Sequence, residues 1–228
     1  MVPMRQEFDG STVPDLEAEL SKQIRDRLAK VPVSDGGTVA VGVGSRGVSP
    51  IRRVVSTVVA ELKTAGLKPF VVPAMGSHGG STAAGQQEVL QQDGISEQTV
   101  GCEVRATMET KILGRTPRNV QIHGDANAYA ADHIVIIARV KPHTDFKADI
   151  ESGLCKMLSI GLGKRTGAET IHAAGVAETI PEAAEVALGT GKILFGVALV
   201  ENAFDRPAAV RVAADGDFHG TDRELLVI

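Results

Sequence analysis

Residues 38–72 read TVAVGVGSRGVSPIRRVVSTVVAELKTAGLKPFVV, and this stretch decides the fold. Residues 38–43 form a short β-branched run of the kind that makes a strand buried on both faces. Ile51, Val54, Val55, Val58, Val59 and Leu62 then recur at i, i+3, i+4, i+7, i+8 and i+11, which predicts a helix over residues 49–66 with one apolar face. Ser49 reads as its N-cap, Pro50 as its first helical residue and Gly66 as the glycine that closes it. A second apolar run starts at Lys68. Strand, helix and strand in that order make a parallel crossover, because parallel neighbours need a long connection.

The alternation continues outward from this unit. Residues 81–93 read as helical, 100–106 as extended, 133–140 as a central strand, 150–189 as helix in pieces and 192–200 as another buried strand. Uninterrupted apolar strands between amphipathic helices predict an α/β fold: an open, mostly parallel sheet with helices on both faces, in Rossmann-like layers. A small hairpin is expected around residues 107–122. Toward the start, Leu16, Leu20, Ile24 and Leu28 recur every fourth position, so a helix should follow an arm or a peripheral strand. No internal repeat or low-complexity linker interrupts residues 1–228, and a single domain is the expectation.

Composition narrows the function. With 228 residues, 43% of them hydrophobic, the chain can bury a core that needs no disulfide or metal staple. A net charge of −4 excludes a broadly basic footprint for nucleic acid, and six Phe, one Tyr and no Trp make a poor stacking platform for single strands. No apolar run reaches the length of a membrane helix, and the opening MVPMRQEFDG has no signal-peptide pattern, so no membrane partner is expected. Cys102 and Cys155 cannot make a disulfide framework and fit a reducing, cytoplasmic location.

In open α/β sheets, ligands bind beyond the carboxyl ends of the strands. Three loops leave expected strands at that edge. Gly44-Ser-Arg-Gly-Val-Ser-Pro50 leads into a helix N-terminus, where backbone N–H groups can hold an anion and Arg46 adds a fork suited to a carboxylate or phosphate; it also reads as a glycine turn with a solvated arginine. Pro73-Ala-Met-Gly-Ser-His-Gly-Gly-Ser-Thr82 sets His78 among small residues, which leave room for a ligand. Ser81 or Thr82 would cap the next helix and place the imidazole beside a positive helix end.

The third segment runs from Arg139 to Arg165 and gathers His143, Asp145, Asp149, Glu151, Lys156 and Lys164 among apolar residues. Residues 150–162 read as a helix that is apolar nearly all round. A lysine buried there would have a lowered pKa and react as an amine. Equally, Lys156 could snorkel outward or pair with Glu151 or Asp149. His172 lies 16 residues beyond Lys156, too far for local metal-ligand spacing. H-x-x-x-H, H-E-x-x-H, C-x-x-C and G-x-S-x-G are all absent, so neither a dedicated zinc site nor a serine elbow is supported. His123, His133 and His219 look incidental.

Taken in order, the Gly-Ser-Arg46 loop, Met75-Gly-Ser-His-Gly-Gly80, Lys141-Pro-His143, Ser152-Gly-Leu-Cys-Lys156 and Thr170-Ile-His172 resemble the N-terminal domain of the lactate racemase family over roughly residues 10–205. Those enzymes use a nickel-pincer nucleotide, a pyridinium mononucleotide whose two sulfur-bearing arms hold a nickel ion. The resemblance implies that Lys156 tethers the cofactor and that His172 completes the nickel coordination. It implies that His78 and His143 are the acid/base pair, and that Arg46 grips the carboxylate of a small 2-hydroxy acid. The nucleotide would lie against Gly44, Ser45, Gly76 and Ser77. Histidine titrates near neutrality, which suits a reaction needing one base for each enantiomer.

The approach to the lysine, Glu151-Ser-Gly-Leu-Cys-Lys156, is bulkier than the small-residue approach of lactate racemases, which leaves open which 2-hydroxy acid is the substrate. Family members are longer and carry a second domain that closes over the cofactor. The chain is therefore expected to be the N-terminal cofactor-binding domain of such a racemase or epimerase, with the C-terminal domain absent. Two other readings remain: a stand-alone module that binds a nucleotide or anionic metabolite without turnover, and metal-dependent hydrolysis by His78, His143 and His172 converging without Lys156.

Overall fold

A computed structural model describes residues 7–45 and 50–228. Helix α1 (Leu16–Leu28) precedes strand β1 (Thr38–Val43), helix α2 (Ile51–Thr64) and strand β2 (Lys68–Pro73). Helices α3 (Ala83–Gln92) and α4 (Glu97–Val100) follow, then a hairpin of β3 (Thr110–Arg115) and β4 (Gln121–Asp125). Strand β5 (His133–Arg139) leads through a long loop to a short helix α5 (Leu154–Lys156) and a π-helical turn, Met157–Gly161. Helices α6 (Lys164–Ala174) and α7 (Val176–Leu188), strands β6 (Ile193–Glu201) and β7 (Pro207–Ala213) and helix α8 (Phe218–Leu225) complete the chain.

The main sheet has the order β2-β1-β5-β6-β7, with all pairings parallel except β6 with β7. The chain runs outward from β1 to β2 and then returns to the other side of β1 as β5. That reversal is a switch point, and it opens a crevice at the carboxyl edge between β1 and β5.

Alternation along each strand divides the interior into two cores. Ala40, Phe70, Val72, Ile134 and Ile136 face α5 to α8 and the hairpin, whereas Val39, Val41, Val71, Val135 and Ile137 face α1 to α4. The α/β class, the mostly parallel sheet and the layers on both faces are as the sequence pattern predicts. All six apolar positions of α2 are buried, each worth about 1.5–3 kcal/mol against exposure. Gly66 closes that helix at φ +80.

Several expectations shift. Pro50 is the N-cap of α2 rather than its first helical residue, while Ser49 lies outside the described residues. Residues 100–106 supply one bridge, Val104 to Val71, on the edge of β2 that β1 leaves free. The hairpin falls at residues 110–125, and α1 is preceded by no strand among the described residues. The expected helix over 150–162 breaks into α5 and the π turn.

Gly196, on β6, sits beneath Leu154 of α5. A Cβ there would come within 2.6 Å of Leu154 Cδ2 and 2.7 Å of the Phe218 ring. Gly196→Ala is expected to lower the unfolding free energy by about 1–3 kcal/mol through overpacking. The check is a lower urea midpoint at an unchanged m-value.

Candidate functional site

A cavity of about 320 Å³ opens at the carboxyl edge of the sheet, above the switch point. Gly44 and Ser45 reach it from β1, Gly76, Ser77 and His78 from β2, and Arg139, Lys141 and His143 from β5. Lys156 and His172 close it from the helical layer. Eight of the nine site residues expected from the sequence thus line one space. The ninth, Arg46, lies outside the described residues.

His78 is exposed on the loop after β2, and its Nδ1 shares a short hydrogen bond with the Ser45 hydroxyl. The loop is laced to the π turn, since Gly76 N–H donates to Gly161 O at 3.0 Å. Glycine is needed at both ends of this seam: Gly76 has φ +58, and a Cβ on Gly161 would lie 2.8 Å from Ala74 O. Thr82 caps α3 by accepting the Gly85 N–H at 3.0 Å, so of the two expected capping candidates Thr82 does the work.

His143 sits on the loop after β5, stacked on Phe146 with ring centroids 4.3 Å apart. Its Nδ1 accepts the Asp145 N–H at 3.2 Å, so the neutral ring carries its proton on Nε2. Desolvation lowers its pKa from 6.5, and the Lys156 ammonium lowers it further. Glu151 is buried, and its two oxygens accept the N–H groups of His143 and Ala148. This carboxylate therefore ties the loop and serves the backbone; it was visible in the sequence only as a partner proposed for Lys156.

Lys156 is half-buried at the end of α5, with Nζ 3.5 Å from Ser152 Oγ. Immediately after it the helix widens into the π turn, a local irregularity that often marks functional sites. The first turn of α5 is capped by Asp222 of α8, whose oxygens accept the Leu154 and Cys155 N–H groups at 2.8 Å each. Gly153 makes this possible, since a Cβ there would lie 2.2 Å from Asp222 Oδ1. Burial pushes the Asp222 carboxyl up, against the two N–H bonds. Burial also pushes the neighbouring Cys155 thiol up and out of reach of ionisation. Asp222 is 67 residues from Cys155, and no local sequence signal could have found it.

His172 is exposed near the end of α6. His123 lies on β4 beside Thr110, and His219 pairs with Glu185 at 3.2 Å; neither lines the cavity, nor does His133. Among the described residues no three His, Cys, Asp or Glu side chains gather to hold a metal ion, which gives the hydrolytic reading no ligand cluster.

Because the pKa of His143 is lowered in the fold, the unfolded chain binds its proton more readily. This group's contribution to stability is therefore intact above pH 6.5 and is lost as the pH falls through the lowered value. An NMR titration of its ring is expected to give a midpoint below 6.5, and Lys156→Met should move that midpoint upward.

A model of the lactate racemase N-terminal domain matches residues 16–183. Among solved structures, the lactate racemase apoprotein from Thermoanaerobacterium thermosaccharolyticum is similar with a TM-score of 0.63 at 13% identity, over 90% of this chain and 54% of that one. At that identity the likeness speaks for the fold, and the chain spans little more than half the length of that structure. No curated protein matches the chain. The family match covers well over half of the residues, among them every one that reaches the cavity, and the chain accordingly belongs to the lactate racemase N-terminal domain family.

Proposed function

We propose that the chain is the N-terminal, cofactor-holding part of a racemase or epimerase of 2-hydroxy acids, working with a nickel-pincer nucleotide and a C-terminal domain. One observation carries this reading: the sheet order puts the loops bearing His78 and His143 on either side of the β1 loop, and both histidines line the same cavity. Two proton-transfer groups flanking one substrate position are what inversion of a carbinol centre requires.

The residues present fit the cofactor. The cavity has the size of a small-molecule site. Its helical wall offers one amine, Lys156, and one imidazole, His172, without the cluster of ligands that would hold a bare ion. That donor set suits a metal that arrives with its own sulfur ligands. Lys156 would tether the group, His172 would give nickel its remaining protein ligand, and Gly44, Ser45, Gly76 and Ser77 would border the nucleotide. When bound, the group supplies the hydride acceptor that no side chain can provide.

The rest of the work falls to the chain. One histidine takes the hydroxyl proton of one enantiomer, and the other serves the mirror-image substrate. His143 presents its Nε2 edge, since Nδ1 is engaged by Asp145. His78 can act in either protonation state, because its Ser45 partner both donates and accepts. Arg46 grips the substrate carboxylate, and a bidentate fork fixes the plane in which the α-carbon reacts.

Mass spectrometry tests the assignment on the whole gene product made together with the cofactor's biosynthetic enzymes. The expected result is a covalent adduct on the peptide bearing Lys156, nickel in the protein, and racemisation of a 2-hydroxy acid. Lys156→Ala should abolish all three. A wild-type chain that never carries the adduct or nickel would sink the cofactor assignment. His78→Ala and His143→Ala are each expected to lower kcat by about 10²–10⁴-fold, the usual worth of a positioned acid or base.

A further inference from the structure

The chemistry above leaves unused a polar network buried beneath the His78 loop. Lys164 heads the fully buried side chains by volume among the described residues. Its ammonium stands 2.8 Å from Asp125 Oδ2, donates to Gln86 Oε1 at 3.1 Å and donates to Pro73 O. Two hydrogen bonds and one ion pair thus hold the ammonium. Gln86, equally inaccessible, donates its amide N–H groups to Gly76 O at 2.8 Å and His78 O at 3.3 Å.

Lysine has donors only, so Gln86 must turn its oxygen toward Nζ. Its nitrogen then faces the two loop carbonyls, which bracket Ser77. The charge on Lys164 in this way decides which end of the amide meets the loop. Lys164 also opens α6, the helix whose far end carries His172. One ammonium therefore joins the end of β2, the hairpin through Asp125, the His78 loop through Gln86, and the His172 helix.

Stability is a weak reason for such a group, because replacing a buried ion pair by apolar residues of similar volume is often neutral or better. Lys164 is, in addition, held at φ +55, a strained backbone for a residue with a Cβ. Strain and a desolvated charge persist where they fix geometry. We propose that Lys164 and Gln86 are positioning residues that hold the His78 loop in register with the helix bearing His172. The inference rests on the reading of His78 as a proton-transfer residue.

Gln86→Glu separates this role from packing: it keeps an acceptor for Lys164 and leaves no donor for the two carbonyls. On the apoprotein, the expected result is at least about tenfold faster hydrogen exchange confined to residues 76–82, where local opening is no longer held shut. The His78 ring resonances should shift while those of His123 and His219 stay in place. Lys164→Met, which removes the charge that orients the amide, should release the same segment. In the loaded enzyme each variant should lose about 10- to 100-fold in kcat with KM within about twofold, the signature of a misplaced group.

Unchanged exchange and unchanged His78 resonances in either folded variant would overturn the proposal. So would loss of protection throughout the chain in both, which marks a merely structural role. The apoprotein readouts stand whether or not the wild-type enzyme racemises anything, so failure here is distinct from failure of the assigned reaction.

Discussion

The parallel pairing of β1 with β5, Val43 opposite Ile137, is the constraint on which the site depends. It places the chain's reversal at the centre of the sheet, so that the loops after β2, β1 and β5 emerge side by side at one edge. The two apolar cores lock the arrangement from both faces, because a slip of one residue along any central strand would carry its whole buried set to the wrong core.

Several of the polar groups buried in this interior lie beneath the cavity. Glu151 holds the β5 loop by two N–H groups, Asp222 holds the start of α5 by two more, and Lys164 with Gln86 holds the β2 loop by its carbonyls. Each is nearly or fully inaccessible, and each acts on backbone rather than on a ligand. The imidazoles that line the cavity are exposed at His78 and His172 and half-buried at His143, and buried polar groups set the loops that present His78 and His143.

The sequence made the sheet legible because period-2 and period-3.6 patterns are local properties. The run from Thr38 to Val72 shows both within one unit. It made the loops legible for a different reason: small residues gather around His78, and titratable groups crowd the segment from His143 to Lys156. What it hid is tertiary. Nothing near Leu154 announces Asp222, 68 residues away, and nothing near His78 announces Lys164. The π turn after Lys156 was hidden as well, since an apolar run such as Met157–Gly161 reads as ordinary helix until its hydrogen bonds are seen. Residues 100–106 carry extended propensity, yet only around Val104 do they pair with the free edge of β2.

The cap that α8 places on α5 has a meaning in time as well as in space. Proteins fold from the N-terminal end as they are synthesised, and the sheet edge with its β1, β2 and β5 loops can begin to form early. The turn that presents Lys156 gains its side-chain cap only once Asp222 has emerged. Among the described residues, the helix start that carries Lys156 is therefore the part of the cavity wall whose anchor is made latest.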